Sequence, residues 1–176
     1  MGAADGTVVK GLPASVEEVL GDPARLRAVG VALAQVGPLR EQLDAVAERT
    51  AFALDAPVSL VTLVLDAAVM VVGTMGVDED DEPVPAELAM CPWTVQEAGP
   101  YVVEDAAAHP VHGDNPLLHE IGLAAYAGVP LVFEGRVVGA HCVQHDEPHA
   151  YTPTELAVLE RGAAEIAAIL QAYAPV

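Results

Sequence analysis

DNPLLHEIGLAAYAGVPLVFEGRVVGAHCVQHD, residues 114–146, is the stretch that decides the fold. Asn115 can accept hydrogen bonds from orphan amides as an N-cap, and Pro116 suits the first helical position because no donor is needed there. The spacing predicts a short helix that Gly122 ends. Two apolar runs follow, 123–133 and 136–145, separated only by Glu134-Gly135, a connection in which glycine can take positive φ. Long, mostly apolar neighbours joined by so tight a turn predict the centre of a sheet covered on both faces.

Downstream, Thr152-Pro153-Thr154-Glu155 predicts a helix start, with Thr152 as cap, Pro153 at the first position and Glu155 reaching back. Over 153–173, Leu156, Leu159, Ala163, Ile166, Leu170 and Tyr173 recur in steps of three and four. That seam is expected to cover the sheet, or to pair with the N-terminal helix or a second subunit where it stays exposed.

Upstream, residues 58–65 and 68–75 predict a hairpin turning at Asp66-Ala67, followed by a short helix over 92–97 and a strand over 101–104. Residues 105–113 are expected to loop over a cavity, carrying His109 and His112. At the start, 1–14 has no periodicity and is expected to fray. A helix over 15–36 follows, with Ser15 and Glu18 at capping-box spacing and Asp22-Pro23 as a second start; Gly37-Pro38 then breaks the chain before a helix over 39–54.

Lys and Arg number 7 against 26 Asp and Glu, a net charge of −19, which argues against nucleic acid or an anionic membrane as direct partner. No apolar run reaches the roughly 18 residues that span a bilayer, and no basic leader precedes one, so a cytoplasmic protein is expected. The acidic run 78–82 lacks the glycine and terminal glutamate of a calcium loop and reads as a solvated loop. Cys91 and Cys142 stand outside zinc spacing and read as small packed side chains.

Tyr126-Ala127-Gly128-Val129-Pro130-Leu131, Gly135, Val138-Gly139 and Cys142-Val143, closed by Asp146 and Pro148, resemble the pattern of bacterial GAF domains. Met90-Cys91 with Thr94-Val95, Val103-Glu104-Asp105-Ala106, and His109-Pro110 with Asp114-Asn115-Pro116-Leu117 resemble its preceding blocks, in order and at its spacing. The resemblance covers about Leu39 to Ala172. It implies an α/β domain of the α+β kind: a central antiparallel sheet, N- and C-terminal helices on one face, and short helices and loops roofing a small-molecule cavity on the other. The expected organisation is a disordered 1–14, a helical extension 15–36 and the GAF domain 37–176. Family members commonly dimerise through flanking helices, which implies a homodimer. Some are methionine sulfoxide reductases, but their cysteine arrangement is absent here.

All six histidines lie between 109 and 149. Where similar GAF sequences carry Asp-Pro-Arg-Phe, this chain has His109-Pro110-Val111-His112; where they carry Gly-Thr-Leu-Cys, it has Gly139-Ala140-His141-Cys142. Strand alternation puts His141 in line with Val137, Gly139, Val143 and His145. It reads as a neutral core histidine bonded to a carbonyl or a Tyr hydroxyl, as a ligand contact, or as a metal or haem-iron ligand. His109 and His112 read as exposed loop residues or, three apart, as sharers of a metal. Trp93 reads as core or as a stacking surface for a flat ligand, and Tyr126 needs a polar partner.

The resemblance places Trp93, His109, His112, Leu117, Tyr126, His141 and Cys142 around the ligand, with His112 and His141 as candidate metal ligands. The expected function is a stand-alone sensory domain that holds a small organic molecule between the sheet and residues 105–121. It would signal through its terminal helices to a partner protein or dimer mate. Two other readings remain: a haem or metal protein acting as gas sensor or small oxidative enzyme, and an interaction module whose cavity is filled. No cofactor is assigned by the residues themselves; haem is the candidate.

Overall fold

The computed structural model describes residues 11–78 and 82–173, so 1–10 of the stretch expected to fray over 1–14, the middle of the acidic run at 79–81 and the end of the expected domain at 174–176 lie outside the described residues, while Ala14, expected to fray, begins a helix. In chain order the elements are α1 (Ala14–Leu20), α2 (Pro23–Ala53), β1 (Val58–Val64), β2 (Ala68–Met75), β3 (Val84–Pro85), a 3-10 turn (Ala86–Leu88), α3 (Cys91–Glu97), β4 (Tyr101–Val103), α4 (Pro116–Ile121), β5 (Ala125–Phe133), β6 (Arg136–His145) and α5 (Pro153–Tyr173). The strands form one antiparallel sheet in the order β3-β2-β1-β6-β5-β4. Among the described residues, no helix is long and apolar enough to cross a membrane.

The tight turn between β5 and β6 is as expected. Glu134 at φ 51° and Gly135 at φ 72° both take left-handed backbone, the geometry that matches the twist of the strands it joins. β6 lies at the middle of the sheet between β1 and β5, so β1 and β6 have neighbours on both sides. The capping box of α5 also forms: Glu155 N donates to Thr152 Oγ1 at 3.2 Å, and Thr152 N to Glu155 Oε2 at 2.7 Å.

Two cores lie on the two faces of the sheet. Val61, Leu63, Val129, Leu131 and Val143 pack under α2 and α5. Leu60, Val64, Val69, Tyr126, Ala140 and Cys142 pack on the other side with α1 and α3. An extra residue, Val138, interrupts the pairing of β6 with β5, where Leu131 faces Gly139 and Val132 faces Val137. Val138 therefore sits in the first core while Val137 turns to the second, so the expected alignment of Val137 with His141 and Val143 is lost.

Two expectations for the N-terminal helices are corrected. The single helix over 15–36 divides at Gly21-Asp22, and Ser15 is not its cap, because α1 begins at Ala14 with no side-chain cap bond. Asp22 caps instead, its Oδ1 accepting from Ala24 N at 2.7 Å and Arg25 N at 3.1 Å. The division sends the two helices to opposite faces: Val16 and Leu20 of α1 join the second core beside α3, and α2 covers the first. The buried Arg25 ties the crossing together by donating to Val64 O at 2.7 Å, Leu20 O at 2.8 Å and Val19 O at 3.2 Å.

The break expected at Gly37-Pro38 is also absent, since α2 runs through it. Proline there removes a bond to the carbonyl of residue 34. Ala34, Gly37 and Pro38 all face solvent, so water can serve that carbonyl, while Ala32, Leu39 and Leu43 on the opposite stripe are buried. Each large side chain buried there contributes about 1.5–3 kcal/mol, which together outweighs the roughly 3 kcal/mol of an interior proline.

Candidate ligand-binding site

A cavity of about 580 Å³ opens on the second face, within the size range of small-molecule pockets. Its floor is the sheet: Leu60 and Thr62 from β1, Val69, Val71 and Thr74 from β2, and Gln144 from β6. Its roof is Val84, Pro85, Leu88, Met90, Cys91 and the α4 residues Leu117, Leu118 and Ile121. One side chain joins the two halves of the roof: Asn115 Oδ1 accepts from Leu117 N at 3.0 Å to start α4, and its Nδ2 donates to Leu88 O at 3.0 Å. Gly122, at φ 69°, ends α4 as a left-handed cap.

The wall is mainly apolar with a few polar groups. Thr62 Oγ1 donates to Ala140 O at 3.3 Å, and Tyr126 Oη lies 3.0 Å from Thr94 Oγ1 and 3.4 Å from Cys91 Sγ. Thr74 Oγ1 is buried and, among the described residues, has no hydrogen-bond partner. Its backbone amide is held from outside by Asp44 Oδ1 at 2.8 Å, so the position of Thr74 is set by α2. Cys91 sits at the start of α3, and its thiol is held below the ordinary range, to about 7, chiefly by the Cys142 thiol and further by Thr62 and Tyr126. Burial pushes Tyr126 up. Interaction with Cys91, reinforced by burial, pushes Cys142 up.

Of the residues singled out from the sequence, Leu117 and Tyr126 line this cavity. Cys142 lies beneath it in the second core. Trp93, His109 and His112 come together in a cluster beside it. His112 Nε2 is 2.7 Å from Tyr101 Oη, the Trp93 ring meets the His112 ring edge-on with centroids 4.8 Å apart, and His109 stacks on His112 at 4.7 Å. His112 is 2% exposed, and burial holds its pKa down to about 4. The loop over 105–113, expected to roof the ligand, frames this cluster and is not in the cavity wall.

His141 is on the opposite face of the sheet. Its Nδ1 lies 3.0 Å from Leu60 O and its Nε2 2.8 Å from Thr50 Oγ1 of α2, so both nitrogens have partners inside the protein. It is fully buried, and burial holds its pKa down to about 4. A haem or metal ion in the cavity does not fit these residues. His141 points away from it with both nitrogens engaged, and His112 directs Nε2 to Tyr101. Among the described residues, no three of His, Cys, Asp and Glu gather as a metal set.

Residues 38–170 match the sequence pattern of the GAF domain. The chain belongs to the GAF domain family. Its GAF fold is similar to the GAF domain of a phosphoenolpyruvate-protein phosphotransferase from Coxiella burnetii, with 20% identity, 84% of this chain and 93% of that one covered, and a TM-score of 0.65. The corresponding domain from Acinetobacter gives 16% identity, coverage of 85% and 94%, and a TM-score of 0.63. Free methionine-R-sulfoxide reductase from Neisseria meningitidis gives 18% identity, coverage of 93% and 94%, and a TM-score of 0.63. No curated protein matches the sequence. GAF domains are sensory and ligand-binding modules, so the cavity of this GAF domain is its candidate site.

The cavity residues that sequence reading passed over include Leu60, Thr62, Val71, Thr74 and Gln144. Gln144 carried a signal, as an amide at the end of an apolar run. Leu60 and Thr62 had one too, two apart on one strand. Thr74 had none, because an extra residue at Val72 shifts the pairing of β2 with β1 and decides which side chains face the hollow.

Proposed function

We propose that this GAF domain is a non-catalytic sensor that binds a small organic molecule in the cavity over β1, β2 and β6. It passes a shift through α2 and α5 to a partner protein or a second copy in the cytoplasm. One observation carries this reading: the cavity floor and the outer helices share a hydrogen-bonded path. Leu60 lines the hollow, its carbonyl faces His141 Nδ1, and His141 Nε2 faces Thr50 of α2. A ligand that displaces β1 at Leu60 therefore acts on the contact between sheet and helix. The helices respond only to the extent that the ligand binds one of their arrangements better; a tenfold preference is about 1.4 kcal/mol.

Hydrogen exchange of the protein with and without a cavity-bound compound tests the reading. Altered protection in α2 around Thr50 and in α5 around Gly162 supports it. Protection changed only at the cavity wall would reduce the domain to a binder without transmission.

A further inference from the structure

The ionisable groups around the cavity are unevenly chosen. Among the described residues, Asp78, Glu82 and Glu120 border it against one cation, Arg40, whose Nε is 3.2 Å from Asp44 Oδ1. Deeper in, the polar groups among the described residues are hydroxyls, a thiol and the Gln144 amide, with no lysine or arginine beside them. The two helix starts that border the hollow offer little to an anion. Pro92 and Pro116 each remove an amide donor there, and Asn115 already occupies the Leu117 amide. Against this, the Gln144 amide stands in the cavity floor, a neutral group that can both donate to an occupant and accept from it.

Resting on the cavity being the ligand site, we propose that its ligand class is an uncharged or monocationic, largely apolar molecule with one hydrogen-bonding group that meets the Gln144 amide, and that anions are rejected. An apolar body fills the space between Leu60, Val71, Leu88 and Leu118. The polar end reaches the Gln144 amide, and a positive charge, where present, lies toward Glu120 and Glu82. An anion of the same shape enters against three carboxylates and finds no donor cluster to replace its water.

Three matched probes test this on the full chain at pH 7.5: 1-naphthylmethanol, 1-naphthylmethylammonium and 1-naphthoate, titrated by calorimetry. The alcohol and the ammonium are expected to bind, with the carboxylate weaker by roughly tenfold or more, the factor set by about 1.4 kcal/mol. That gap should narrow as salt is raised, since rim charges are screened. Gln144→Leu should weaken the alcohol by roughly fivefold, the loss of one modest hydrogen bond. Glu120→Gln should weaken the ammonium and leave the alcohol unchanged. Carboxylate binding equal to or tighter than that of the alcohol overturns the charge inference while leaving the cavity as the site. Failure of all three probes at saturating concentration overturns the cavity as the site itself.

Discussion

A β-carbon built on Gly162 of α5 would stand 2.7 Å from His141 Nε2. The helix crosses β6 where His141 rises from the strand, and the missing side chain makes room for it. Thr50 Oγ1 lies 3.2 Å from the same point, so sheet, α2 and α5 meet within one small volume. Arg49 and Glu165 pair across the two helices close by at the surface.

Gly162→Ala is therefore expected to destabilise the protein, although alanine is the better helix former by about 1 kcal/mol. The His141 ring is held at both nitrogens and cannot give way cheaply, so overpacking of about 1–3 kcal/mol outweighs that gain. Gly30→Ala in α2 is the control, because nothing lies within 4 Å of its β-carbon position. Urea denaturation should show Gly30→Ala more stable by about 0.5–1 kcal/mol and Gly162→Ala less stable than the parent.

Acid should expose the cost of keeping His141 neutral. Its folded pKa, about 4, lies below the ordinary 6.5, so in that window the unfolded chain binds the proton more readily. Stability is then full above about pH 6.5 and is lost as pH falls toward about 4, by on the order of 3 kcal/mol for this group. Burial shifts His112 in the same direction. His141→Gln should flatten the fall between pH 6.5 and 4 in denaturation curves; an unchanged slope would show that His141 does not carry it.

The β5–β6 turn was legible because its two residues sit between two apolar runs, and the whole strand and helix order downstream follows from it. What was not legible depends on partners distant in sequence. Pro38 reads as a helix breaker until its solvent-facing position is known. Val138 and Val72 are ordinary strand residues until their neighbours' register makes them extra. The resemblance placed His141 at the cavity while the residues also allowed a neutral core histidine bonded to a carbonyl, and the face of the sheet, set by the register, selects the second by sending it to the helices. The cavity wall itself is drawn from residues 60 to 144, which no local pattern groups together.

Glu134 at φ 51° occupies a conformation that costs a branched or long side chain roughly 1 kcal/mol and suits asparagine better. Glu134→Asn should raise stability by about 0.5 kcal/mol or more without altering the strands. Thermal denaturation checks this, and a fall in melting temperature would mean that Glu134 makes compensating contacts.

Cys91 lines the cavity and has the more acidic thiol, whereas Cys142 is sealed beneath it. A small thiol reagent such as methyl methanethiosulfonate should modify Cys91 first, and at a rate that rises through about pH 7. A compound occupying the cavity should slow that modification. Peptide mapping by mass spectrometry gives the site and the rate; equal labelling of both cysteines would mean that the second core opens as a whole.

The position of the site is tested most directly by methyl NMR of the protein titrated with 1-naphthylmethanol. Saturable shifts centred on the methyl groups of Leu60, Val71, Leu88 and Leu118 are expected, with smaller changes carried to the α2 and α5 side of the sheet. Shifts centred instead around Trp93 and His112, or no saturable shifts at any residue, would contradict the placement of the ligand over β1, β2 and β6.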